Sequence, residues 1–137
     1  MENWCRELDK QAPVFGKDTI LIGHSCGATY LLYILEVLKK SVFNSILVSS
    51  FIEKLDIPEF DELNKTFINH NFNWEKIKNN SKKFHIFHGD NDPYVPLKYA
   101  ETISKKLETP IQIIKNGGHL NSESNYTEFS ELLEVLF

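Results

Sequence analysis

The sequence lacks an excess of positive charge. Its 15 lysines and arginines are outnumbered by 19 aspartates and glutamates, which gives a net charge of −4 and an isoelectric point near 5.7. Domains that bind nucleic acids usually carry a basic face, because phosphate contacts supply much of their affinity. Here the lysine pairs are scattered along the chain, so we expect no nucleic-acid partner.

Long hydrophobic runs and disulfide frameworks are missing as well. The longest nearly apolar run covers residues 28–35, far short of the roughly 20 residues that span a bilayer. The N-terminal segment is charged and amphipathic, unlike a secretory signal peptide. Two cysteines, Cys5 and Cys26, are too few for a disulfide scaffold. We therefore expect a cytoplasmic chain with no membrane partner.

The composition that remains is that of a globular domain, with 42% hydrophobic and 25% charged residues. A length of 137 residues suits one domain, which we predict over 1–137. Helical and strand patterns alternate along it. The predicted helices cover 2–12, 26–40, 97–108 and 128–137, and the predicted strands cover 19–23, 45–49, 84–88 and 111–115. This alternation predicts an α/β domain with a mostly parallel sheet of about four strands, and the apolar first strand is predicted to be buried on both faces.

The stretch G-H-S-C-G around Ser25 lies between the first predicted strand and the helix that follows. In this context a sharp turn lifts a serine hydroxyl clear of the sheet, as at a nucleophile elbow. Close packing of strand against helix explains the glycines, and the helix N-terminus directs the backbone N–H of Cys26 toward a developing oxyanion. The predicted elbow consists of Gly23, His24 and Gly27 around Ser25. The alternative is a plain glycine-rich turn.

A serine nucleophile needs a base, and the base needs an orienting acid. The segment H-G-D-N-D-P-Y-V-P (88–96) follows the third predicted strand, and N-G-G-H-L-N (116–121) follows the fourth. Parallel sheets place their ligand sites at these carboxyl ends of the strands. The order serine, acid, histidine is also the chain order of α/β-hydrolases. We therefore predict a triad of Ser25, Asp92 and His119.

Two aspartates in the first of these loops compete for the role of the acid. The pattern His-Gly-x-x-Asp-x-x-Val-Pro favours Asp92 and leaves Asp90 as a turn cap or a supporting residue. A metal site built on His85, His88 and these aspartates is the other alternative. The two histidines are three apart on a strand and face opposite sides of it, so we expect no metal and no cofactor.

Three segments together carry a family resemblance: GHSCGATYLLYILE, HGDNDPYVPL and GGHLNSESNYTEFSELLEVL. They resemble the small α/β-hydrolases of the retinoblastoma-binding protein nine family over nearly the whole chain. The resemblance implies an α/β-hydrolase-like three-layer domain. It also implies a serine hydrolase that cleaves a small ester or amide through an acyl-enzyme, with the triad Ser25, Asp92 and His119.

The sequence departs from that family at its start. Family members begin with a strand ending in a His-Gly loop, then a helix and a further strand, before the helix predicted at 2–12. That loop supplies the second oxyanion donor, and losing one such donor typically costs about 10²–10³ in turnover. A catalytically weak or inactive hydrolase-fold fragment, or a binding module, that lacks this loop is therefore the alternative function. Without the first family strand, 19–23 becomes a sheet edge, where we expect self-association or complementation by another strand.

The segment 50–82 lies between the second and third predicted strands, where hydrolases of this fold commonly insert a cap. Its aromatic side chains fit two readings, the wall of an apolar acyl pocket or simple packing of the insertion onto the core. The residues concerned are Phe51, Phe60, Phe67, Phe72 and Trp74.

Overall fold

The computed structural model describes residues 2–11, without the side chain of Gln11, and residues 15–136. These residues form six α-helices: α1 (Glu2–Gln11), α2 (Cys26–Val37), α3 (Pro58–Ile68), α4 (Trp74–Asn79), α5 (Leu97–Leu107) and α6 (Ser130–Glu134). They also form four strands and one 3₁₀ turn: β1 (Ile20–His24), β2 (Val42–Val48), β3 (Ser81–Gly89), β4 (Ile111–Ile114) and Ser122–Ser124. No helix of these ranges is long and apolar enough to cross a bilayer.

The four strands pair in the order β1-β2-β3-β4, and every pair is parallel. Parallel neighbours need crossover connections, which α2, the α3–α4 segment and α5 supply in turn. The α/β class and the parallel four-stranded sheet predicted from the sequence are confirmed. All carboxyl ends of the strands consequently lie along one edge of the sheet, where the three loops of interest emerge.

Apolar clusters cover both faces of the sheet. On one face, side chains of α2, α4 and α5 pack on Leu21, Leu47 and Ile86. On the other, the segment 126–136 packs on Ile46 and Phe87. A further layer forms where α1 and α3 pack on the outer side of α2, around Tyr30 and Phe67.

The first strand differs from its prediction. It was predicted to be buried on both faces, but Ile22 is 52% exposed. The reason is its position: β1 pairs only with β2 among the described residues, and Ile20 packs in the cluster formed with the segment 126–136, whereas Ile22 does not. The expectation that this strand forms a sheet edge is correct for the described part of the chain.

Several element ends also differ. The third strand begins at Ser81, inside the predicted insertion, because Ser81 pairs with Val42 and the exposed Lys82 and Lys83 hide the strand pattern. The second helix ends at Val37, where Leu38 turns to extended backbone. The last helix is shorter than predicted and covers only α6. The predicted end of the first helix at 12 and that of the last helix at 137 lie outside the described residues.

Candidate active site

Ser25 lies in the turn between β1 and α2 in a strained backbone conformation. Its φ is 54° and its ψ is −125°, a region that non-glycine residues rarely adopt. The Ser25 N–H donates to the Val48 carbonyl at 2.9 Å, and its carbonyl accepts from the N–H of Ala28 at 3.0 Å. The neighbouring strand and the first turn of the helix therefore hold the serine backbone from both sides, and its side chain faces a cavity.

The two glycines of the elbow are not equivalent. A Cβ added at Gly23 would lie 2.6 Å from the Cα of Ala28 and from the carbonyl oxygen of Gly27. Gly23 is thus required by the close approach of strand and helix. A Cβ at Gly27 would meet nothing within 4 Å, because Gly27 faces the cavity. The prediction that both glycines serve close packing is correct for Gly23 and wrong for Gly27.

Cys26 is the first residue of α2, so its backbone N–H has no partner within the helix. The N–H lies directly after Ser25, at the positive end of the helix dipole. Burial raises the pKa of the Cys26 thiol. The thiol therefore remains protonated and is a poor nucleophile beside the serine.

Asp92 is buried in the loop after β3, with a side chain that is 1% exposed. Its Oδ1 accepts the backbone N–H groups of Tyr94 and Val95, both at 2.9 Å, and its Oδ2 lies 2.8 Å from Nδ1 of His119. Burial alone would raise the pKa of the carboxyl, but the hydrogen bonds from His119, Val95 and Tyr94 outweigh it and lower the pKa. An ionised Asp92 makes His119 Nδ1 the donor and leaves Nε2 free to accept a proton.

Asp90 has a different role from Asp92. Its Oδ1 accepts the backbone N–H of Asn116 at 2.7 Å, and Oδ1 of Asn91 accepts the N–H of Gly118 at 2.8 Å. Both side chains thus tie the loop after β3 to the loop after β4. The expectation that Asp90 caps a turn rather than pairing with the histidine agrees with these contacts.

Both backbone polar groups of His119 are held by side chains. Its N–H donates to Oγ of Ser124 at 3.1 Å, and its carbonyl accepts from Nε2 of His24 at 2.8 Å. The two imidazole rings meet edge-on with centroids 4.7 Å apart. The contact from His24 was not predicted, since the sequence placed His24 only in the elbow. Its pKa is lowered, mainly by desolvation of the ring, so that the ring is a neutral donor.

His88 lies behind the acid and is fully buried. Its Nε2 donates to the Val95 carbonyl at 2.9 Å and lies 3.9 Å from Oδ2 of Asp92. Burial lowers the pKa of His88, so this ring too is neutral. His85, on the same strand, instead contacts Gln112. In the described ranges no three histidine, cysteine or acidic side chains lie close enough together to hold a metal ion.

Ser25 and His119 face one cavity of about 620 Å³, a volume suited to a small molecule. Within the part of the chain that the structure describes, the His119 ring is hydrogen-bonded to Asp92 and not to the Ser25 hydroxyl. Hydrogen bonds between catalytic groups are often long before a substrate binds. The aromatic residues that line the cavity are Trp4, Phe51, Phe60, Phe67 and Tyr94.

The two readings of the aromatic residues in 50–82 divide the set, and that the cavity holds an acyl group stays a prediction. Phe51, Phe60 and Phe67 line the cavity, whereas Phe72 and Trp74 pack into the main core cluster. Trp4 and Leu63 line the cavity without having been predicted. The amphipathic pattern of the first helix was a usable signal for Trp4, but its distance in sequence from the serine hid the contact.

Comparisons with known proteins identify a family for the chain. A family model described as serine hydrolase matches residues 1–137. The chain is 30% identical over 118 residues to serine hydrolase RBBP9 of Rattus norvegicus, a match that covers 86% of this chain and 59% of that protein. The chain thus spans little more than half the length of this relative.

Two solved structures are similar as well. The ydeN gene product of B. subtilis is 25% identical with a TM-score of 0.89, over 98% of this chain and 72% of that one. Esterase PE8 is 26% identical with a TM-score of 0.56, over 95% of this chain and 56% of that one.

Proposed function

Because the chain belongs to the serine hydrolase family, we propose that it cleaves a small ester or amide through an acyl-enzyme formed on Ser25. The resemblance drawn from the three sequence segments is confirmed at the level of the family. The observation that carries the proposal is the 2.8 Å contact between Asp92 Oδ2 and His119 Nδ1 beside the cavity that Ser25 faces.

In the first half of the reaction, Oγ of Ser25 attacks the substrate carbonyl carbon while Nε2 of His119 takes the hydroxyl proton. Asp92 stays ionised and stabilises the imidazolium that forms. The tetrahedral intermediate then collapses. The bond to the leaving alcohol or amine breaks, and His119 returns its proton to that group.

In the second half, water repeats the sequence on the acyl-enzyme. His119 takes a proton from the water, the hydroxide oxygen bonds to the acyl carbon, and the bond to Oγ of Ser25 breaks as His119 returns the proton to Oγ. The products are a carboxylic acid, the alcohol or amine released earlier, and the free serine. No cofactor takes part in these steps.

The negative charge of both tetrahedral intermediates falls on the former carbonyl oxygen. The backbone N–H of Cys26, unpartnered within α2, is suited to bind it, with the helix dipole adding to the stabilisation. The aromatic side chains of α3 and its flanking residues line the same cavity as Ser25 and hold the apolar part of the substrate, as a cap does. The two free cysteines, Cys5 and Cys26, suit a reducing compartment such as the cytoplasm.

Turnover of p-nitrophenyl butyrate tests the proposal. Ser25→Ala and His119→Ala should each remove nearly all activity, and the double variant should lose little more, because triad members act as a unit. Ser122→Ala, an exposed serine outside the cavity, serves as the control. Unchanged turnover in Ser25→Ala, or a folded wild-type protein without esterase activity, would favour a binding module on a hydrolase fold.

A further inference from the structure

We propose that the cavity prefers substrates whose leaving group is positively charged, an amino alcohol or a diamine, and that Glu123 sets this preference. The inference rests on the proposed function, because a substrate has a leaving group only if Ser25 attacks it. It adds a substrate class to that function. The evidence for the preference is the charge of the side chains that line the cavity and the side of the cavity on which that charge lies.

The charged side chains that line the cavity are of one sign. Among the described residues that line the cavity, Glu123 is the single carboxylate, and neither lysine nor arginine contributes. Most other lining side chains are aromatic or aliphatic. His24, with its lowered pKa, adds no positive charge. A substrate anion would therefore meet a carboxylate and no cation, whereas a substrate cation would meet an attractive field.

Glu123 lies on the same side of the cavity as the base. It sits four residues after His119, in the 3₁₀ turn Ser122–Ser124 whose Ser124 hydroxyl holds the His119 N–H. Its Oε2 accepts the Tyr94 hydroxyl at 3.0 Å, and the Tyr94 ring contacts the His119 ring edge-on at 5.2 Å. Carboxylate, tyrosine and base thus form one wall.

The leaving group has to lie against the wall formed by Glu123, Tyr94 and His119. His119 returns its proton to the departing oxygen or nitrogen, so this atom lies within hydrogen-bonding reach of Nε2. The acyl part takes the rest of the cavity, whose lining includes Phe51 and Phe67. A cationic group on the departing side therefore lies near Glu123.

The tyrosine strengthens this preference in two ways. It donates a neutral hydrogen bond to Glu123, which orders the carboxylate without cancelling its charge. Its ring also offers an aromatic surface beside the carboxylate, and such surfaces attract ammonium groups within about 6 Å. An acid next to an aromatic ring is a combination that suits an alkylammonium group better than a neutral or anionic one.

A pair of isosteric esters tests the proposal: butyrylcholine, which is cationic, and 3,3-dimethylbutyl butyrate, which is neutral. The ratio of their kcat/KM values should favour butyrylcholine in the wild type. Glu123→Gln should lower this ratio about three- to tenfold, as expected for one partly solvated charge at close range. The same ratio should fall in the wild type as salt is added, because Glu123 is exposed.

The chain offers a matched control. Tyr126 donates to Oε2 of Glu131 at 2.9 Å, a second tyrosine–glutamate pair that does not line the cavity. Glu131→Gln makes the same change in net charge and breaks the same kind of contact. It should leave the ratio at its wild-type value. Equal ratios in the wild type and Glu123→Gln, or an equal loss in Glu131→Gln, would overturn the proposal.

A binding measurement separates this inference from the proposed function. Choline and 3,3-dimethylbutanol are titrated into the wild type and into Glu123→Gln, and the NMR shifts of Tyr94 and its neighbours are followed. Choline should perturb them more than its neutral isostere, in the wild type only. This result without ester turnover would contradict the hydrolase proposal and keep the charge preference. Equal responses to both alcohols would overturn the preference whatever the turnover.

Discussion

Ser25 is one of several non-glycine residues that hold a left-handed backbone at the carboxyl edge of the sheet. Its φ of 54° is accompanied by φ values of 47° at Ser49, 55° at Asn116 and 51° at Leu120. Each such conformation typically costs about 1–3 kcal/mol, and such residues cluster at functional sites. Here they follow β1, β2 and β4, and so lie in three loops that meet at one place. Because the conformation also occurs away from this edge, as at Glu108, it agrees with a site here but does not identify one by itself.

At the same scale, neutral histidines support the contact between Asp92 and His119. His24 holds the carbonyl of His119, and His88 holds the carbonyl of Val95, whose N–H in turn donates to Asp92. Both supporting rings have lowered pKa values, mainly through desolvation. They therefore donate hydrogen bonds without placing a positive charge beside His119, which would oppose the protonation that the mechanism requires.

The two elbow glycines provide a test at the residue scale. Gly23→Ala should destabilise the fold by about 1–3 kcal/mol, since its Cβ overlaps backbone atoms that have little room to move. Gly27→Ala should leave the free energy of unfolding unchanged or raise it by up to about 1 kcal/mol, because alanine favours the helix. Chemical denaturation of both variants measures the difference. Equal destabilisation by the two substitutions would contradict the account of the elbow.

Among the elements, β1 differs most from an interior strand. It is paired on one side only in the described part of the chain, and Ile22 is 52% exposed on its surface. Unpaired N–H and C=O groups on an apolar edge can hydrogen-bond to another strand. β1 contains no lysine or proline that would hinder such pairing. The short strand at the opposite edge, β4, ends in the loop that carries His119.

We predict that the chain self-associates through β1, and that Ile22→Lys suppresses this association by placing a charge on the edge strand. Val37→Lys is the matched control, since Val37 is 55% exposed but lies at the end of α2. Size-exclusion chromatography with light scattering, over a range of concentrations, measures the effect. A wild-type protein that stays monomeric throughout, or equal effects of the two lysines, would contradict the prediction.

The alternation of helices and strands was predictable because each element carries its own apolar period. The buried runs of β2 and β3 and the amphipathic α5 follow directly from it. Element ends were less predictable, because they depend on pairing across the sheet, as with Ser81 opposite Val42. The exposure of Ile22 depends on which elements lie beside β1, and the sequence of β1 itself does not encode this.

For the molecule as a whole, chain order and strand ends were enough to predict that Ser25, Asp92 and His119 would lie at one edge of the sheet. That they form a catalytic triad stays a prediction. The cavity was predictable only in part, since its wall joins Trp4 from the first helix to residues more than a hundred positions later. Such contacts follow from how α1 and α3 pack on α2, and local patterns do not specify this packing.

The measurement that tests the central claim most directly is covalent labelling by a fluorophosphonate probe, read by intact mass and peptide mapping. Attack by Oγ of Ser25 forms a bond to phosphorus and expels fluoride, so the account predicts a single adduct on Ser25. The adduct should be absent in Ser25→Ala and strongly reduced in His119→Ala. A folded wild-type protein that takes no label, or a label that persists in Ser25→Ala, would contradict the assignment of Ser25 as the nucleophile.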